Sequence, residues 1–184
     1  MEKPTLQGEM VVLRPVRAGD APGLWDAVSD AEGRRLAGDT RRWTRAEVDR
    51  WAASAASLPG RYDLAVTAQG SEEYLGGIAL GAVDEVAASA ELHLLMRPAF
   101  RGRGYGTEAI ELVLGLAFDG LGLHRVGLRV PSVNPRVQAM YDSLGFRVEG
   151  RLRDAGRDGE RWCDVVVMGL LEDEYLARQP DRLG

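Results

Sequence analysis

The sequence predicts one mixed α/β domain, residues 1–184, with its elements in the order β-α-α-β-β-β-α-β-α-β-β. Three observations support this prediction. Segments that alternate apolar and polar residues, typical of strands, are interspersed with segments whose apolar residues recur every three to four positions, typical of helices. A length of 184 residues suits a single domain with a sizeable core. A loop with three alternating glycines separates an apolar strand from the most apolar helix.

The first third of the chain predicts one strand followed by two helices. Met10–Arg14 has the pattern of a strand. Asp20 stands before Ala21-Pro22, and an aspartate ahead of a first-turn proline is typical of a helix N-cap. The run Thr44–Glu47 is a capping box that predicts the start of the second helix. We expect residues 31–43, which are polar and rich in arginine, to be a loop between the two helices.

The middle of the chain predicts a hairpin and then a strand that leads into the glycine loop. The hairpin consists of Tyr62–Gln69 and Tyr74–Val83 around a polar turn. Ala90–Met96 is the next strand, and Pro98 ends it. Alternation along this strand places side chains on two faces, with Leu92, Leu94 and Met96 on one and Glu91, His93 and Leu95 on the other.

The last third predicts two longer helices, three strands and a short terminal helix. Tyr105–Phe118 is apolar on nearly all sides, which indicates a helix buried against the sheet. Asn134 followed by Pro135 is typical of an N-cap and the first helical residue. The other predicted elements are the strand Arg125–Val130, the hairpin strands Phe146–Arg153 and Glu160–Leu171, and the terminal helix Glu172–Arg178.

The segment Arg101–Ala109, with the sequence R-G-R-G-Y-G-T-E-A, is the clearest functional signal. Glycines let backbone N–H groups approach an anion closely, and the start of a helix adds partial positive charge. The segment is not a P-loop because no Lys-Ser/Thr pair follows the glycines, and its spacing fits a dinucleotide-binding fingerprint poorly. The motif alone leaves open a glycine-rich turn that enters a buried helix and binds nothing.

Two motifs resemble the GNAT superfamily of N-acetyltransferases. Arg101, Gly104 and Gly106 match the pyrophosphate motif Q/R-x-x-G-x-G/A, and the whole run Ala90–Ala109 is similar to the region around that motif. The run Asn134–Phe146 is similar to the family pattern N-x-x-A/V-x-x-x-Y-x-x-x-G-F. The resemblance covers almost the entire chain and is greatest for the RimJ/RimL-type branch. It implies a central, mostly antiparallel sheet of six to seven strands flanked by helices.

The resemblance implies that acetyl-CoA is the co-substrate. The pantetheine arm is expected beside the strand that ends at Met96, where a backbone N–H would polarise the thioester carbonyl. The pyrophosphate is expected on the glycine loop and the helix start that follows it. Asn134 is expected to cap its helix and, in addition, to reach the pantetheine amides. The implied cofactor-binding residues are Leu94, Leu95, Met96, Arg101, Gly102, Arg103, Gly104, Tyr105, Gly106, Thr107 and Asn134.

Three residues are candidates for the chemistry of acetyl transfer. An attacking amine must be neutral, so a base has to remove its proton. Glu91 is the first candidate for this base, and its structural alternative is an ion-pair partner. His93 is the second candidate, and its alternative is a packed histidine. Tyr141 occupies the tyrosine position of the family and is the candidate acid that protonates the departing thiolate, because a phenol stays protonated at neutral pH. Its alternative role is that of a core aromatic residue.

The acceptor is left open by the sequence. The branch resemblance implies a protein N-terminal α-amine, and a small amine such as an antibiotic, a polyamine or an amino acid is the alternative. A non-catalytic acyl-CoA-binding module is a second alternative of a different class. Dimers are common in the family, so a homodimer is a further expectation.

Composition excludes several other classes. Net charge is 23 minus 28, or −5, which argues against a nucleic-acid partner. No apolar run has membrane-spanning length, so we expect no membrane partner. One cysteine, Cys163, and two histidines, His93 and His124, are not spaced as a metal site. A lone cysteine permits no internal disulfide and suits the reducing cytoplasm.

Overall fold

Eight strands form one sheet in the computed structural model, which describes residues 3–179. The strands are β1 (Leu6–Gln7), β2 (Val11–Pro15), β3 (Tyr62–Ala68), β4 (Tyr74–Asp84), β5 (Ser89–Met96), β6 (Arg125–Pro131), β7 (Arg147–Asp158) and β8 (Arg161–Leu171). Their order in the sheet is β1-β2-β3-β4-β5-β6-β8-β7. The pairs are antiparallel apart from β5 and β6, which run parallel.

Six helices flank this sheet. They are α1 (Ala21–Ser29), α2 (Ala31–Ala37), α3 (Arg45–Ser54), α4 (Tyr105–Gly115), α5 (Pro135–Ser143) and α6 (Glu172–Ala177). A π-helical turn over Leu116–Gly120 extends α4. Since α4 connects β5 to its parallel neighbour β6, these three elements form a crossover of the β-α-β type.

The predicted mixed α/β fold with a mostly antiparallel sheet is confirmed, with three corrections. The sheet has eight strands rather than six or seven, because the two-residue strand β1 pairs with β2. The segment 31–43 is not a loop throughout, since α2 occupies its first half. Asp20 stands at the N-cap position of α1 but makes no side-chain cap there, because its carboxylate accepts hydrogen bonds from Arg14 and from the backbone N–H of Arg17.

Two hydrophobic clusters lie on opposite faces of the sheet. The larger cluster packs α4, α5 and α6 against the strands and includes Leu92, Ile110 and Tyr141. The smaller cluster packs α1 and α3 against β3 and β4, with Leu95 of β5 at its edge. The predicted two-sided pattern of β5 is therefore confirmed, because Leu92 and Leu95 belong to different clusters.

Helices α1 and α3 cover only part of the second face. On the same face, the half of the sheet formed by β6, β8 and β7 carries exposed or half-exposed side chains, including Arg129, Val165 and Val167. Among residues 3–179, no helix is both long and apolar enough to span a membrane. In the same range, no three His, Cys, Asp or Glu side chains are grouped to hold a metal ion.

Candidate active site

A gap in the sheet between β5 and β6 organises the site. The two strands pair at three positions, and the last pair joins Glu91 to Gly127. Beyond this pair the strands diverge, although β5 continues to Met96 and β6 to Pro131. We call the gap between residues 92–96 and 128–131 the wedge, and the Glu91–Gly127 pair its apex. Residues 92–96 line the wedge for about 13 Å at ~3.3 Å per residue.

Strand β5 offers unpaired backbone groups to the wedge. The backbone N–H of Arg97 donates to the Leu75 carbonyl across the β4 side, at 2.9 Å. Because successive residues of a strand direct their backbone groups to opposite edges, Leu95 also faces β4, whereas Leu94 and Met96 face the wedge. The N–H groups of Leu94 and Met96 are therefore placed to meet an extended ligand. Of the three predicted strand contacts, Leu95 does not present its backbone to the wedge.

The glycines of the loop after β5 each have a structural reason. Gly102 and Gly104 have φ values of 72° and 86°, in the left-handed region that favours glycine. Gly106 lies in the first turn of α4, and a Cβ there would come within 3.1 Å of the Leu94 side chain. The glycines thus bring the start of α4 close to the strand that lines the wedge.

The start of α4 is an open set of hydrogen-bond donors. Gly104 is the N-cap residue, and no side chain caps the helix. The N–H of Glu108 donates to the Gly104 carbonyl at 3.1 Å, so the N–H groups of Tyr105, Gly106 and Thr107 precede the first intrahelical bond. This arrangement can hold a phosphate at the open end of the wedge.

The side chain of Arg101 is held by partners outside the glycine loop, and its predicted role in binding the cofactor stays a prediction. Its Nε and Nη2 donate to the Met96 carbonyl at 3.0 and 2.8 Å, and its Nη1 donates to the Asp30 carboxylate at 2.7 Å. Asp30 also caps α2 by accepting from the Gly33 N–H at 2.7 Å. We call this linked group, Arg101 with Asp30 and the Met96 carbonyl, the Arg101 latch.

The latch joins the end of β5 to the start of α2. Burial of the Asp30 carboxylate acts to raise its pKa, but the hydrogen bonds from Arg101 and from the Gly33 N–H hold the pKa below its usual value. A Cβ at Gly33 would lie 2.2 Å from the Arg101 Nη2 atom, so glycine is required for the close approach. Each of the three guanidinium nitrogens thus donates a hydrogen bond to Asp30 or to the Met96 carbonyl.

Two other arginines lie near the loop. Arg103 is exposed, with its guanidinium carbon 5.8 Å from the Phe100 ring centre. Arg136, at the start of α5, places its Nη2 atom 3.4 Å from the position that a Gly102 Cβ would occupy. No local sequence pattern predicts this contact, because α5 reaches the loop only through the packing of β6 beside β5.

Asn134 is the N-cap of α5, as predicted. Its Oδ1 accepts from the Val137 N–H at 3.3 Å, and its Nδ2 donates to the Leu36 carbonyl of α2 at 3.1 Å. The side chain is 7% exposed. Asn134 therefore links α5 to α2 across the wedge, and its predicted contact with pantetheine stays a prediction.

Tyr141 is a buried phenol on α5. Its ring packs edge-on against Phe146, with ring centres 5.5 Å apart. Burial raises the pKa of Tyr141 to about 12. No side chain or backbone group of residues 3–179 forms a hydrogen bond with its hydroxyl group. The phenol is therefore a protonated donor with free capacity, as an acid in a reaction requires.

Glu91 and His93 project from the face opposite Tyr141. Their carboxylate Oε2 and ring Nε2 atoms are 3.9 Å apart, and their side chains are 44% and 64% exposed. Glu91 belongs to the apex, so its carboxylate stands where the two strands begin to separate. The structure thus brings both predicted base candidates to the end of the wedge that lies farthest from the anion loop.

These elements define a class of protein. A splayed pair of parallel strands, an anion loop at its open end and a carboxylate at its apex suit an extended, phosphate-bearing ligand whose far end meets a second substrate. The chain belongs to the acetyltransferase (GNAT) domain family, whose family model matches residues 10–147.

Two curated relatives are similar to this chain. The chain is 29% identical to spermidine N(1)-acetyltransferase of Vibrio cholerae over 113 residues. The aligned residues make up 61% of this chain and 65% of that protein. It is 26% identical over 164 residues to the L-methionine sulfoximine/L-methionine sulfone acetyltransferase of Pseudomonas paraeruginosa, covering 86% and 92% respectively. The match thus spans less than two thirds of the length of the first relative.

The fold is also that of a solved acetyltransferase complex. The structure of spermidine N-acetyltransferase from Vibrio cholerae with CoA and spermine has a TM-score of 0.84 against this chain, at 22% identity. The comparison covers 92% of this chain and 99% of that one. It confirms the predicted fold of the sheet and its helices.

Proposed function

We propose that this protein transfers an acetyl group from acetyl-CoA to a primary amine by direct attack in a ternary complex. The observation that carries the proposal is the wedge, with an anion loop at one end and the Glu91 carboxylate at the other. A single extended ligand bound along β5 would place its phosphates at the loop and its reactive end near the apex.

The backbone of the chain would hold acetyl-CoA. The N–H groups at the start of α4 would bind the pyrophosphate, and the guanidinium of Arg136 would add a positive charge beside it. The N–H groups of Leu94 and Met96 that face the wedge would bond the pantetheine arm as a neighbouring strand would. One of these N–H groups would also stabilise the oxyanion that forms when the amine attacks the thioester carbonyl.

Two side chains would transfer the protons, Glu91 at the apex and Tyr141 on the opposite face of the sheet. Glu91 removes a proton from the acceptor ammonium, directly or through water, so that the neutral amine can attack. His93 is the second candidate for this role, and its imidazole stands beside the Glu91 carboxylate. When the tetrahedral intermediate collapses, the carbon–sulfur bond breaks and Tyr141 donates its proton to the departing thiolate. The nitrogen gives up its second proton to solvent, from which the phenol is protonated again. The products are CoA and the acetylated amine.

A small primary amine is the acceptor we propose. Both curated relatives described above carry names of enzymes that act on small amines, spermidine in one and methionine sulfoximine in the other. A protein N-terminal α-amine, the acceptor implied by the branch resemblance, is the second candidate. The sheet face formed by β6 and β8 supports this candidate. That face carries exposed side chains beside the apex and would admit the end of a polypeptide.

Release of CoA thiol from acetyl-CoA tests the proposal against a panel of acceptors. The panel contains spermidine, an aminoglycoside, L-amino acids and peptides with varied first residues. We expect release with small amines, whereas release with peptides alone would select the second candidate. Binding of acetyl-CoA without release in any mixture would instead support the non-catalytic binding module.

Acetyl-CoA affinity tests the anion loop separately. We expect Gly104→Ala to weaken acetyl-CoA binding, because the residue has a φ of 86° at the helix start that would hold the pyrophosphate. Gly122→Ala is the matched control, since Gly122 has a φ of 64° and no other atom within 4 Å of the new Cβ. Both variants carry similar backbone strain, but only the first lies in the site. Equal affinity in the two variants would contradict the phosphate assignment.

A further inference from the structure

A row of glycines crosses the sheet at the apex. The strand register places Gly81 of β4, Glu91 of β5, Gly127 of β6 and Gly169 of β8 side by side. Glu91 is the one member of this row with a side chain. The row lies on the face that α1 and α3 cover only in part, and Glu91 contributes its one side chain.

The outer two glycines are covered by neighbouring side chains. A Cβ at Gly81 would lie 3.7 Å from the His93 ring. At Gly169, a Cβ would lie 2.5 Å from both Arg125 and Glu149, which form a close ion pair above it. Gly81 and Gly169 are also buried, so neither is open to a ligand at the floor of the row.

Gly127 is the uncovered member. It is half-buried, and a Cβ built there would meet the Arg125 Nη2 at 3.6 Å and the Met168 carbonyl oxygen at 3.8 Å, both ordinary contact distances. The space beside the Glu91 carboxylate is consequently floored by backbone and open above. A side chain at this position would fit the protein itself and would fill that space.

The charges around Gly127 differ on its two sides. Glu91 stands on the adjacent strand, about 4.8 Å away between backbones. Arg129 stands two residues further along β6, about 6.6 Å away on the same face. Arg129 is exposed and forms no ion pair with any of residues 3–179, whereas Arg125 is already neutralised by Glu149. The floor thus lies between one carboxylate and one unpaired guanidinium.

We infer that Gly127 is the floor of the acceptor subsite and that Arg129 selects an acceptor with a carboxylate next to its amine, as in a free α-amino acid. This inference rests on the proposed acetyl transfer. Glu91 receives the amine, and Arg129 pairs with the carboxylate on the neighbouring carbon. A polyamine would instead bring a second ammonium group toward a guanidinium, and a peptide end would leave Arg129 without an anion.

A side chain introduced at position 127 tests whether Gly127 is the floor of the acceptor subsite. We expect Gly127→Ala to lower kcat/KM for the acceptor by about tenfold or more, a loss that corresponds to ~1.4 kcal/mol. The acetyl-CoA affinity and the melting temperature should be unchanged, since the new Cβ makes two contacts, both at ordinary distances. Gly150→Ala, on β7 with no atom within 4 Å of its Cβ, is the control that should match the parent protein. Unchanged kcat/KM in Gly127→Ala would overturn the inference.

The role of Arg129 is tested with matched acceptors. Each L-amino acid is compared with its own carboxamide, which keeps the amine and removes the negative charge. We expect the parent protein to prefer the amino acid, and Arg129→Gln to lower kcat/KM for it by about 10- to 100-fold while leaving the carboxamide unaffected.

The outcomes separate this inference from the proposed function. Acetylation of carboxamides or spermidine at least as fast as of amino acids would overturn the Arg129 assignment and leave acetyl transfer intact. An equal loss on both acceptor types in Arg129→Gln would also overturn it, because a structural defect has no charge preference. No CoA release with any acceptor would contradict both.

Discussion

At the scale of single residues, the protonation of Tyr141 decides how the reaction could end. Burial raises the pKa of Tyr141 to about 12, above the value of about 10 for an exposed phenol. Because folding raises this pKa, the protonated phenol makes its full contribution to stability below a pH of about 10. That contribution is lost as the pH rises from about 10 to about 12. The Tyr141 phenol therefore stays protonated throughout the neutral pH range.

Tyr141→Phe isolates this proton. The substitution keeps the ring that packs on Phe146 and removes a hydroxyl that has no partner in the described structure. We expect kcat to fall about 100-fold or more, with acetyl-CoA affinity unchanged. In the parent protein, Tyr141 should cause no loss of kcat up to a pH of about 10. Pre-equilibrium binding and a pH–rate profile measure both effects, and full activity in the variant would assign Tyr141 to the core alone.

Residues whose role depends on local pattern could be predicted, and those that depend on register could not. The faces of Glu91 and His93 follow from alternation along one strand, and the Asn134 cap follows from the proline after it. Arg136 and Gly127, in contrast, lie on β6 or after it, and they meet the loop and Glu91 only because β6 pairs with β5. No local pattern specifies which strands are neighbours or where their pairing stops.

At the scale of elements, α2 shows why a short helix can escape prediction. It has seven residues, with Gly33 in its first turn, and so has little intrinsic stability. Tertiary contacts hold it instead. Asp30 binds Arg101, the Leu36 carbonyl accepts from Asn134, and Arg35 pairs with Asp158 of β7 at 2.6 Å. The helix therefore bridges the end of β5, the start of α5 and the β7–β8 hairpin.

The Arg101 latch should position the wedge rather than bind phosphate. We expect Arg101→Gln to lower kcat about tenfold, because the Met96 carbonyl and the α2 N-cap lose their shared donor at a cost of ~1.5–3 kcal/mol. Acetyl-CoA affinity should change less than kcat. Arg103→Gln is the control, since this arginine lies in the same loop and is exposed. A loss of affinity with kcat intact would show that Arg101 is a phosphate ligand after all.

The latch should also resist acid. The hydrogen bonds that lower the pKa of Asp30 keep its carboxylate charged, so the link persists above the ordinary aspartate range and weakens only as pH falls through the lowered folded pKa.

The β1–β2 turn is held by another carboxylate. Glu108 of α4 accepts from the backbone N–H groups of Glu9, Met10 and Val11 at 2.7–2.9 Å, which fixes the edge of the sheet to the helix at the anion loop.

At the scale of the whole molecule, the wedge is a consequence of connectivity. Strand β5 is joined to β6 by α4, so the two strands must run parallel, and the glycine loop falls at the end of the first strand. A β-α-β order with the loop between could be read from the sequence. The divergence of the strands after three pairs could not, because no local pattern specifies where the pairing of two strands stops.

The layer formed by α1 and α3 is attached to the sheet through a buried ion pair, and this attachment carries the last prediction. Arg14 of β2 is 5% exposed and Asp20 is 4% exposed. Their two hydrogen bonds are both 2.8 Å long, and the Arg17 N–H donates to the same carboxylate. Removal of one partner leaves the other as an uncompensated buried charge, which is more costly than the pair itself is stabilising.

We therefore expect Arg14→Met to lower the free energy of unfolding by about 3–5 kcal/mol. Adding Asp20→Asn should restore part of the loss, because the stranded charge is then absent. Arg45→Met is the control, since Arg45 and Asp49 form an exposed pair, 3.6 Å apart, worth about 0.5 kcal/mol or less. Urea unfolding measures all three. If Arg14→Met costs no more than Arg45→Met, the α1–α3 layer is held by its hydrophobic cluster alone, and the ion pair does not couple it to the sheet.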